Sequence, residues 1–255
     1  MSIYAELHRI VEEGGRAVVL TVVAGPSTGA KLLVHEDGST VGDGPAELAE
    51  LAPDAIRHGR SHVVEHGEQT VFADVFAPPA RLLVIGAVDT AEALCRAAKL
   101  LGWTAIVADA RARFATRERL PSADEILVTW PEEALEQVKP DVGTAVVVLT
   151  HDDKFDLPAL SGALATDAFY IGALGSRRNQ ERRKERLLEA GVAEADFERI
   201  AGPCGLDVGA ESPAETALSI LGEILAVRAA RPGGKLKDAK TRIHVEPSEP
   251  AAAEA

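Results

Sequence analysis

Hydrophobic positions recur with different periods along the chain, and the change of period divides it into two parts. Near the N-terminus, four apolar residues recur at helical spacing and predict an amphipathic helix that ends at Gly14-Gly15. They are Ile3, Leu7, Ile10 and Val11. Apolar runs bounded by turn-forming residues predict strands, and a short helix lies between them. The strands are 17–25, 30–38 and 70–76, and the helix is 45–51.

The second part shows a regular alternation of strands and helices. A stiff Pro78-Pro79 break precedes it, and the continuous apolar run 81–86 is typical of a strand that is buried on both faces of a sheet. A helix is predicted over 91–102. Four further strands are predicted over 104–110, 125–129, 144–150 and 168–175. This alternation implies an α/β fold with a Rossmann-type, doubly wound parallel sheet.

Three segments follow from these patterns. Residues 1–76 are predicted to form a small N-terminal α/β domain, and residues 81–230 a Rossmann-type C-terminal domain. Residues 231–255 are rich in Pro, Gly, Ala and charged residues and cannot support a core, so this tail is predicted to be disordered.

Two helix starts are marked by their capping residues. Ser176 is placed to cap a helix over 177–190. The segment Ser212–Glu215 has the sequence of a capping box with proline at the first helical position, which predicts the start of the long last helix.

The charge and the cysteine content restrict the partners and the compartment. With 27 basic and 40 acidic residues the net charge is −13, which disfavours binding to nucleic acid and to anionic membranes. The two cysteines, Cys95 and Cys204, do not have the spacing of a metal clip or of a disulfide framework. The N-terminus lacks the pattern of a signal peptide, and the apolar runs are shorter than the ~20 residues that span a bilayer. We therefore expect a cytoplasmic protein.

A damaged dinucleotide fingerprint follows the first strand of the second part. The fingerprint G-x-G-x-x-G/A is met at its first and third positions by Gly86 and Ala91. Its second position is Val88, which is expected to place a branched side chain where a pyrophosphate should approach, and Asp89 adds a negative charge at a helix N-terminus. Asp109 ends the second strand, where a ribose-binding carboxylate is expected. A loop that packs without binding a nucleotide is an equally open interpretation.

Other candidate residues lie where later strands end. The segment Gly172–Arg178 offers glycine N–H groups, a serine hydroxyl and two arginines that can pair with a phosphate. The alternative is an ordinary loop followed by a solvated basic helix face, and the arginines and lysine over 182–186 are predicted to be solvated. His151 is a candidate general base or ligand contact, and a strand-end cap is the alternative.

The candidate ligand-binding residues share one predicted edge of the parallel sheet. Asp207, in a glycine-bounded loop, can reach the same edge, whereas Cys204 nearby is predicted to have a packing role. The full set is Gly86, Asp109, His151, Asp152, Gly172, Gly175, Ser176, Arg177, Arg178 and Asp207.

Five stretches of the second part resemble the C-terminal domain of the xanthine dehydrogenase accessory factors of the XdhC/CoxI type. They are RLLVIGA..AEAL (81–94), LGWTAIVADARARFAT (101–116), TAVVVLTHDDKFDLPAL (144–160), FYIGALGSRR (169–178) and GLDVGAESPAETALSIL (205–221). The stretch GAKLLVHEDGSTVGDG (29–44) is more faintly similar to the N-terminal domain of that family. The family's first turn usually reads Gly-Ala-Gly-His-Val-Ala, and this chain departs from it at Val88 and Asp89.

The resemblance implies an accessory protein rather than an enzyme. Such proteins are similar to chaperones that bind the molybdenum cofactor and deliver it, in sulfurated form, to a molybdenum hydroxylase of the xanthine dehydrogenase type. A sulfurase is then a second partner, and a homodimer is an open alternative. An NAD(P)-dependent oxidoreductase is the second hypothesis, but Val88 and Asp89 predict weak or absent dinucleotide binding. The third is a degenerate paralogue that binds a partner enzyme and no small molecule.

Overall fold

The strands form two separate sheets in the structure, a computed structural model that describes residues 2–239. The described residues fall into two compact units, one of residues 2–78 with 234–239 and the other of residues 79–233. Within residues 2–239, none of the helices has the length and apolar character that crossing a bilayer requires.

The first unit is built on a five-stranded antiparallel sheet. Its elements are α1 (Ile3–Glu12), β1 (Ala17–Ala24), β2 (Lys31–His35), β3 (Thr40–Gly42), a 3-10 helix (Ala46–Leu51), α2 (Ala52–His58), β4 (His62–His66) and β5 (Gln69–Phe76). The strand order is β3-β2-β1-β5-β4. One apolar face of the sheet packs against the 3-10 helix and α2, and α1 packs on the other.

The helix α1 confirms the predicted element but not the whole of its buried face. Val11 is 56% exposed, so its predicted place on that face is wrong, whereas Glu6 is only 3% exposed. The Glu6 carboxylate can be buried because it pairs with Arg9 at 2.5 Å and lies 3.3 Å from His35 on β2. The strands β3 and β4 and the helix α2 were not predicted, because these short elements have weak hydrophobic periodicity.

The second unit is built on a six-stranded sheet in which every neighbouring pair is parallel. Its elements are β6 (Arg81–Ile85), α3 (Asp89–Leu100), β7 (Thr104–Ala108), β8 (Glu125–Leu127), α4 (Pro131–Val138), β9 (Thr144–Val148), α5 (Asp153–Leu164), β10 (Tyr170–Ala173), α6 (Arg177–Glu189), α7 (Glu194–Phe197), β11 (Ile200–Ala201) and α8 (Pro213–Arg228). The strand order β8-β7-β6-β9-β10-β11 is that of a doubly wound Rossmann fold. The predicted fold class is therefore confirmed.

The sheet places the carboxyl ends of its strands along one edge, with a switch point at its centre. β6 pairs with β7 on one side and with β9 on the other, and the chain leaves β6 in opposite directions in the two halves of the fold. Open α/β sheets bind ligands in the crevice outside such a switch point. The loops after β6 and β9 therefore form the walls of the expected binding crevice.

The predicted tail falls only in part within the described residues. Residues 231–239 contain one short 3-10 helix, Leu236–Asp238, and residues 240–255 lie outside the described part of the chain.

Both predicted helix caps are confirmed. The Ser176 hydroxyl accepts a hydrogen bond from Asn179 N at the start of α6. At the start of α8, Ser212 and Glu215 form a complete capping box, in which each side chain accepts from the backbone of the other.

Replacing the α8 cap should destabilise the second unit. We expect Ser212→Ala to lower the free energy of unfolding by about 1 kcal/mol, because a backbone N–H at the helix start loses its acceptor. The matched control is Ser161→Ala, at an exposed position inside α5, where alanine should be neutral or slightly stabilising. Urea unfolding followed by circular dichroism compares the two, and equal effects would contradict the role of the cap.

Candidate functional site

Gly86, at the end of β6, allows two strand-end loops to approach each other closely. Its φ is +113°, in the region that favours glycine, and a Cβ atom there would lie 2.8 Å from Thr150 Cγ2. Thr150 follows β9, so this contact lies at the switch point. A glycine is needed here for packing as well as for backbone conformation.

The two residues that depart from the fingerprint do not both obstruct the loop. Val88 is half-buried and packs against the hydrophobic core, so its predicted position as a free branched side chain over the loop is wrong. Asp89 is 82% exposed in the first turn of α3, and its carboxylate lies 3.2 Å from Arg119. The negative charge at the helix N-terminus is therefore present and partly offset by an arginine.

Asp109, after β7, is buried and its carboxylate is saturated by donors from its own chain. Oδ2 accepts from Ala87 N at 2.9 Å and from Arg111 Nη2 at 2.7 Å. Oδ1 accepts from Arg111 N and Nε, both at 2.9 Å. A carboxylate has about four lone-pair positions, and four donors occupy them. A ribose hydroxyl would have to displace one of these donors in order to bind Asp109.

The ionisation of Asp109 follows from these contacts. Burial raises the pKa of this carboxyl, but the hydrogen bonds from Arg111 and from Ala87 N outweigh burial, and the pKa lies below its usual value. Asp109 is thus a charged anchor that fixes the loop after β6 to the loop after β7.

A narrow cleft lies between these loops at the switch point. Its walls include Gly86, Asp109 and Thr150, and Phe155 on α5 closes one side. Trp130 packs on the Phe155 ring with 5.1 Å between the ring centroids, and Trp130 itself remains partly exposed. The cleft therefore combines backbone, one carboxylate and an aromatic wall, as small-molecule sites commonly do.

A buried polar network connects the cleft to the loop after β10. Thr150 Oγ1 donates to Asp156 Oδ1 on α5, and Asp156 Oδ2 accepts from Arg183 Nη2 at 2.7 Å and from Nε at 3.1 Å. Arg183 Nη2 also donates to the Leu174 carbonyl at 2.7 Å. Two of the three ligand-side loops are thus joined through one ion pair.

Arg183 was predicted to be solvated, and this is wrong. Its side chain is 3% exposed, because α6 turns this residue toward α5, where Asp156 compensates the charge. Within residues 2–239, its Nη1 atom is buried without a hydrogen-bond partner and lies 3.3 Å from the position of a Cβ on Gly175. Gly175 has φ of +148°, so both its conformation and its proximity to Arg183 favour glycine.

The remaining residues of the β10 loop have different surroundings. Gly172 lies under the Tyr170 ring, since a Cβ at this position would be 2.6 Å from a ring carbon. Ser176 is the cap of α6, and Arg177 and Arg178 in its first turn are exposed. This glycine is explained by packing alone, whereas the two arginines are available to an external anion.

The other candidates lie at the same edge but are not all joined to it by contacts. His151 and Asp152 are exposed, and Asp152 caps α5 by accepting from Lys154 N at 3.2 Å. This hydrogen bond lowers the pKa of the Asp152 carboxyl. Asp207 is exposed and, in the described part of the chain, forms no hydrogen bond or ion pair with the other candidates. The structure therefore brings together Gly86, Asp109 and the two loops after β9 and β10.

Cys204 lies behind this edge and is buried in the core. Burial raises the pKa of its thiol to about 12, and the nearby Glu223 carboxylate adds to the effect. Glu223 itself accepts from Tyr170 Oη at 2.5 Å and from Gly205 N at 2.8 Å. A protonated, enclosed thiol suits packing and not direct contact with a ligand.

Removing the charge of Asp156 should destabilise the protein strongly. Asp156→Asn keeps the size of the side chain but leaves Arg183 buried without a counter-charge, which typically costs about 3–5 kcal/mol. The control is Asp153→Asn, because Asp153 pairs with the exposed Arg182 and Arg186 and its loss should cost less than about 1 kcal/mol. Urea unfolding measures both, and a small effect of Asp156→Asn would show that the buried pair does not hold the loops.

Comparison with known proteins identifies relatives for most of the chain. The XdhC Rossmann domain family matches residues 82–224. The Escherichia coli K12 protein YqeB is 31% identical over 92% of this chain and 48% of its own length. The Escherichia coli K12 molybdenum cofactor insertion chaperone PaoD is 31% identical over 60% of this chain and 42% of its own length. The chain thus spans about half the length of the curated relatives that it matches.

Two further comparisons agree with this assignment. A Bacillus subtilis 168 relative, whose name describes it as one of the probable xanthine dehydrogenase subunits, is 32% identical over 64% of this chain and 48% of its own length. A crystal structure described as a xanthine dehydrogenase from Bacillus halodurans has a TM-score of 0.64 at 23% identity, and the match covers 88% of this chain and 66% of that one. This structural similarity supports the fold. Because the family match covers more than half of the sequence, the chain belongs to the XdhC Rossmann domain family.

Proposed function

We propose that this chain is a cytoplasmic accessory protein that binds the molybdenum cofactor at the carboxyl edge of its parallel sheet. In this proposal it assists the maturation of the cofactor and its insertion into a molybdenum hydroxylase of the xanthine dehydrogenase type. The name of PaoD, a molybdenum cofactor insertion chaperone, supports the class of cargo. A sulfurase as a second partner and a homodimer as the working form belong to the same proposal.

The observation that carries the proposal is the pair of exposed arginines at the start of α6. Arg177 and Arg178 follow the Ser176 cap, where the helix dipole already favours an anion. Arginine can bind a phosphate oxygen pair with two parallel hydrogen bonds. A pterin cofactor with a terminal phosphate has the group that this helix start would bind.

The buried network gives this site a rigid support. Arg183 binds the Leu174 carbonyl in the loop just before α6, and Asp156 holds Arg183 in place. Asp156 also accepts from Thr150, which lines the cleft at the switch point. A ligand that spans from the cleft to the start of α6 would therefore contact two loops whose separation is fixed.

The side chains at this edge suit binding and orientation of a cargo. The aromatic wall of Phe155 and Trp130 can pack against a flat pterin ring, and the arginines can hold its phosphate. His151 and Asp152 are exposed beside the cleft and can donate to or accept from the polar edge of the ring. The molybdenum chemistry itself takes place in the client enzyme.

Loss of the α6 arginines should weaken cofactor binding. We expect Arg177→Ala or Arg178→Ala to lower the affinity by roughly 10- to 150-fold, the value of a charge-assisted contact. The fold should be unaffected, because both side chains are exposed. The readouts are pterin fluorescence titration and activation of a co-expressed molybdenum hydroxylase.

Arg96→Ala is the matched control, since Arg96 is an exposed arginine on α3 that does not belong to the start of α6. We expect this variant to equal the parent in both assays. If both α6 variants and their double variant also equal the parent, the basic helix face is merely solvated and the site is wrongly assigned. If the parent does not bind the cofactor at all, the proposed function fails.

A further inference from the structure

A second group of arginines lies on the opposite side of the switch point, and the cofactor proposal does not use it. The segment after β7 carries Arg111, Arg113, Arg117 and Arg119 within nine residues, in a chain whose net charge is −13. Arg117 is fully used inside the protein, because its guanidinium donates to the carbonyls of Ala123 and Asp124. The other three require a different explanation.

These three guanidinium groups surround one phenyl ring. The Phe114 ring centroid is 4.5 Å from Arg111 Cζ, 4.6 Å from Arg113 Cζ and 5.2 Å from Arg119 Cζ. Each contact with the ring face is favourable, but three cations on one ring repel one another unless anions lie nearby. The arrangement therefore has a capacity for negative charge that depends on how many carboxylates pair with it.

Two of the three cations have a carboxylate and the third does not. Arg111 binds Asp109 at 2.7 Å, and Arg119 lies 3.2 Å from Asp89. Arg113 is exposed and, among residues 2–239, forms no ion pair with any carboxylate. One positive charge in the group is thus left for an external anion.

The position of this group in the fold indicates which anion it would take. In Rossmann folds, the carboxylate that ends the second strand binds the ribose diol, and a nearby arginine instead accommodates a phosphate on that ribose. Here the carboxylate of Asp109 is saturated by Ala87 N and by three donors of Arg111, so it has no capacity left for a diol. The same place presents Arg113.

We propose that the β7 side of the crevice is an anion subsite for a ribose 2′-phosphate, with Arg113 as its main contact and Arg119 at its border. The ligand class is a nucleotide that carries a phosphomonoester on its ribose, and nucleotides with a free 2′,3′-diol are discriminated against. This subsite is independent of the start of α6, which lies in the other half of the sheet.

The test compares two ligands that differ only by the phosphate in question. Adenosine 2′,5′-bisphosphate and adenosine 5′-monophosphate both carry the 5′-phosphate that approaches Asp89, so its repulsion affects them equally. We expect calorimetry to show that the full chain binds the bisphosphate about 10- to 150-fold more tightly. Arg113→Ala should remove most of that preference without changing the affinity for the monophosphate.

Two further variants keep the test specific. Arg113→Lys retains the charge but not the planar fork, and should retain part of the preference. Arg96→Ala, the exposed arginine on α3, should retain all of it. The folding of Arg113→Ala is not at risk, because this exposed side chain has no ion pair in the described part of the chain.

The outcomes are decisive in both directions. Equal affinity for the two ligands, no binding of the bisphosphate at millimolar concentration, or a preference that survives Arg113→Ala would each overturn the subsite. Because no cofactor is present in this experiment, its failure leaves the proposed cofactor site untouched. Conversely, a subsite that depends on Arg113 would stand even if the α6 variants showed that the cofactor binds elsewhere.

Discussion

The buried ion pair between Asp156 and Arg183 is the interaction on which the arrangement of the binding edge depends. Two charges removed from water are costly unless further hydrogen bonds satisfy them. Here Thr150 supplies the second partner of the carboxylate, and the Leu174 carbonyl supplies that of the guanidinium. The pair thus fastens the loops after β9 and β10 to the helices α5 and α6, and these loops can be rigid while their outer side chains remain exposed.

A similar arrangement is found in the other half of the sheet. Asp109 is buried, charged and saturated by Arg111 and by Ala87 N, and it fastens the loop after β6 to the loop after β7. Each half of the Rossmann fold therefore has one carboxylate–arginine pair that sets its loops. In each half, other arginines, such as Arg113 and Arg177, remain exposed beyond the pair. The structural and the ligand-accessible cations are separate residues.

The sequence predicted the sheet well and the polar network poorly, for physical reasons. Parallel strands buried on both faces have continuous apolar runs, and the run of β6 is unmistakable for this reason. In contrast, Arg183 lies in a run of charged residues that is typical of a solvated helix face, and its partner Asp156 is far away in the sequence. Glu6 misled in the same way, because a carboxylate on a buried face is stabilised by partners that hydrophobic periodicity does not reveal. The saturation of Asp109 depends on side-chain geometry that a motif does not specify.

The contact between Gly86 and Thr150 makes the crevice and the buried network a single mechanical assembly. The absent Cβ of Gly86 leaves just enough room for the Thr150 methyl, while the hydroxyl of the same threonine belongs to the Asp156 network. A side chain at residue 86 would act as a wedge, since widening the crevice would pull that hydroxyl away from its acceptor. The width of the crevice and the integrity of the buried charges therefore cannot vary independently, and relatives that accommodate a wider ligand here must change both positions together.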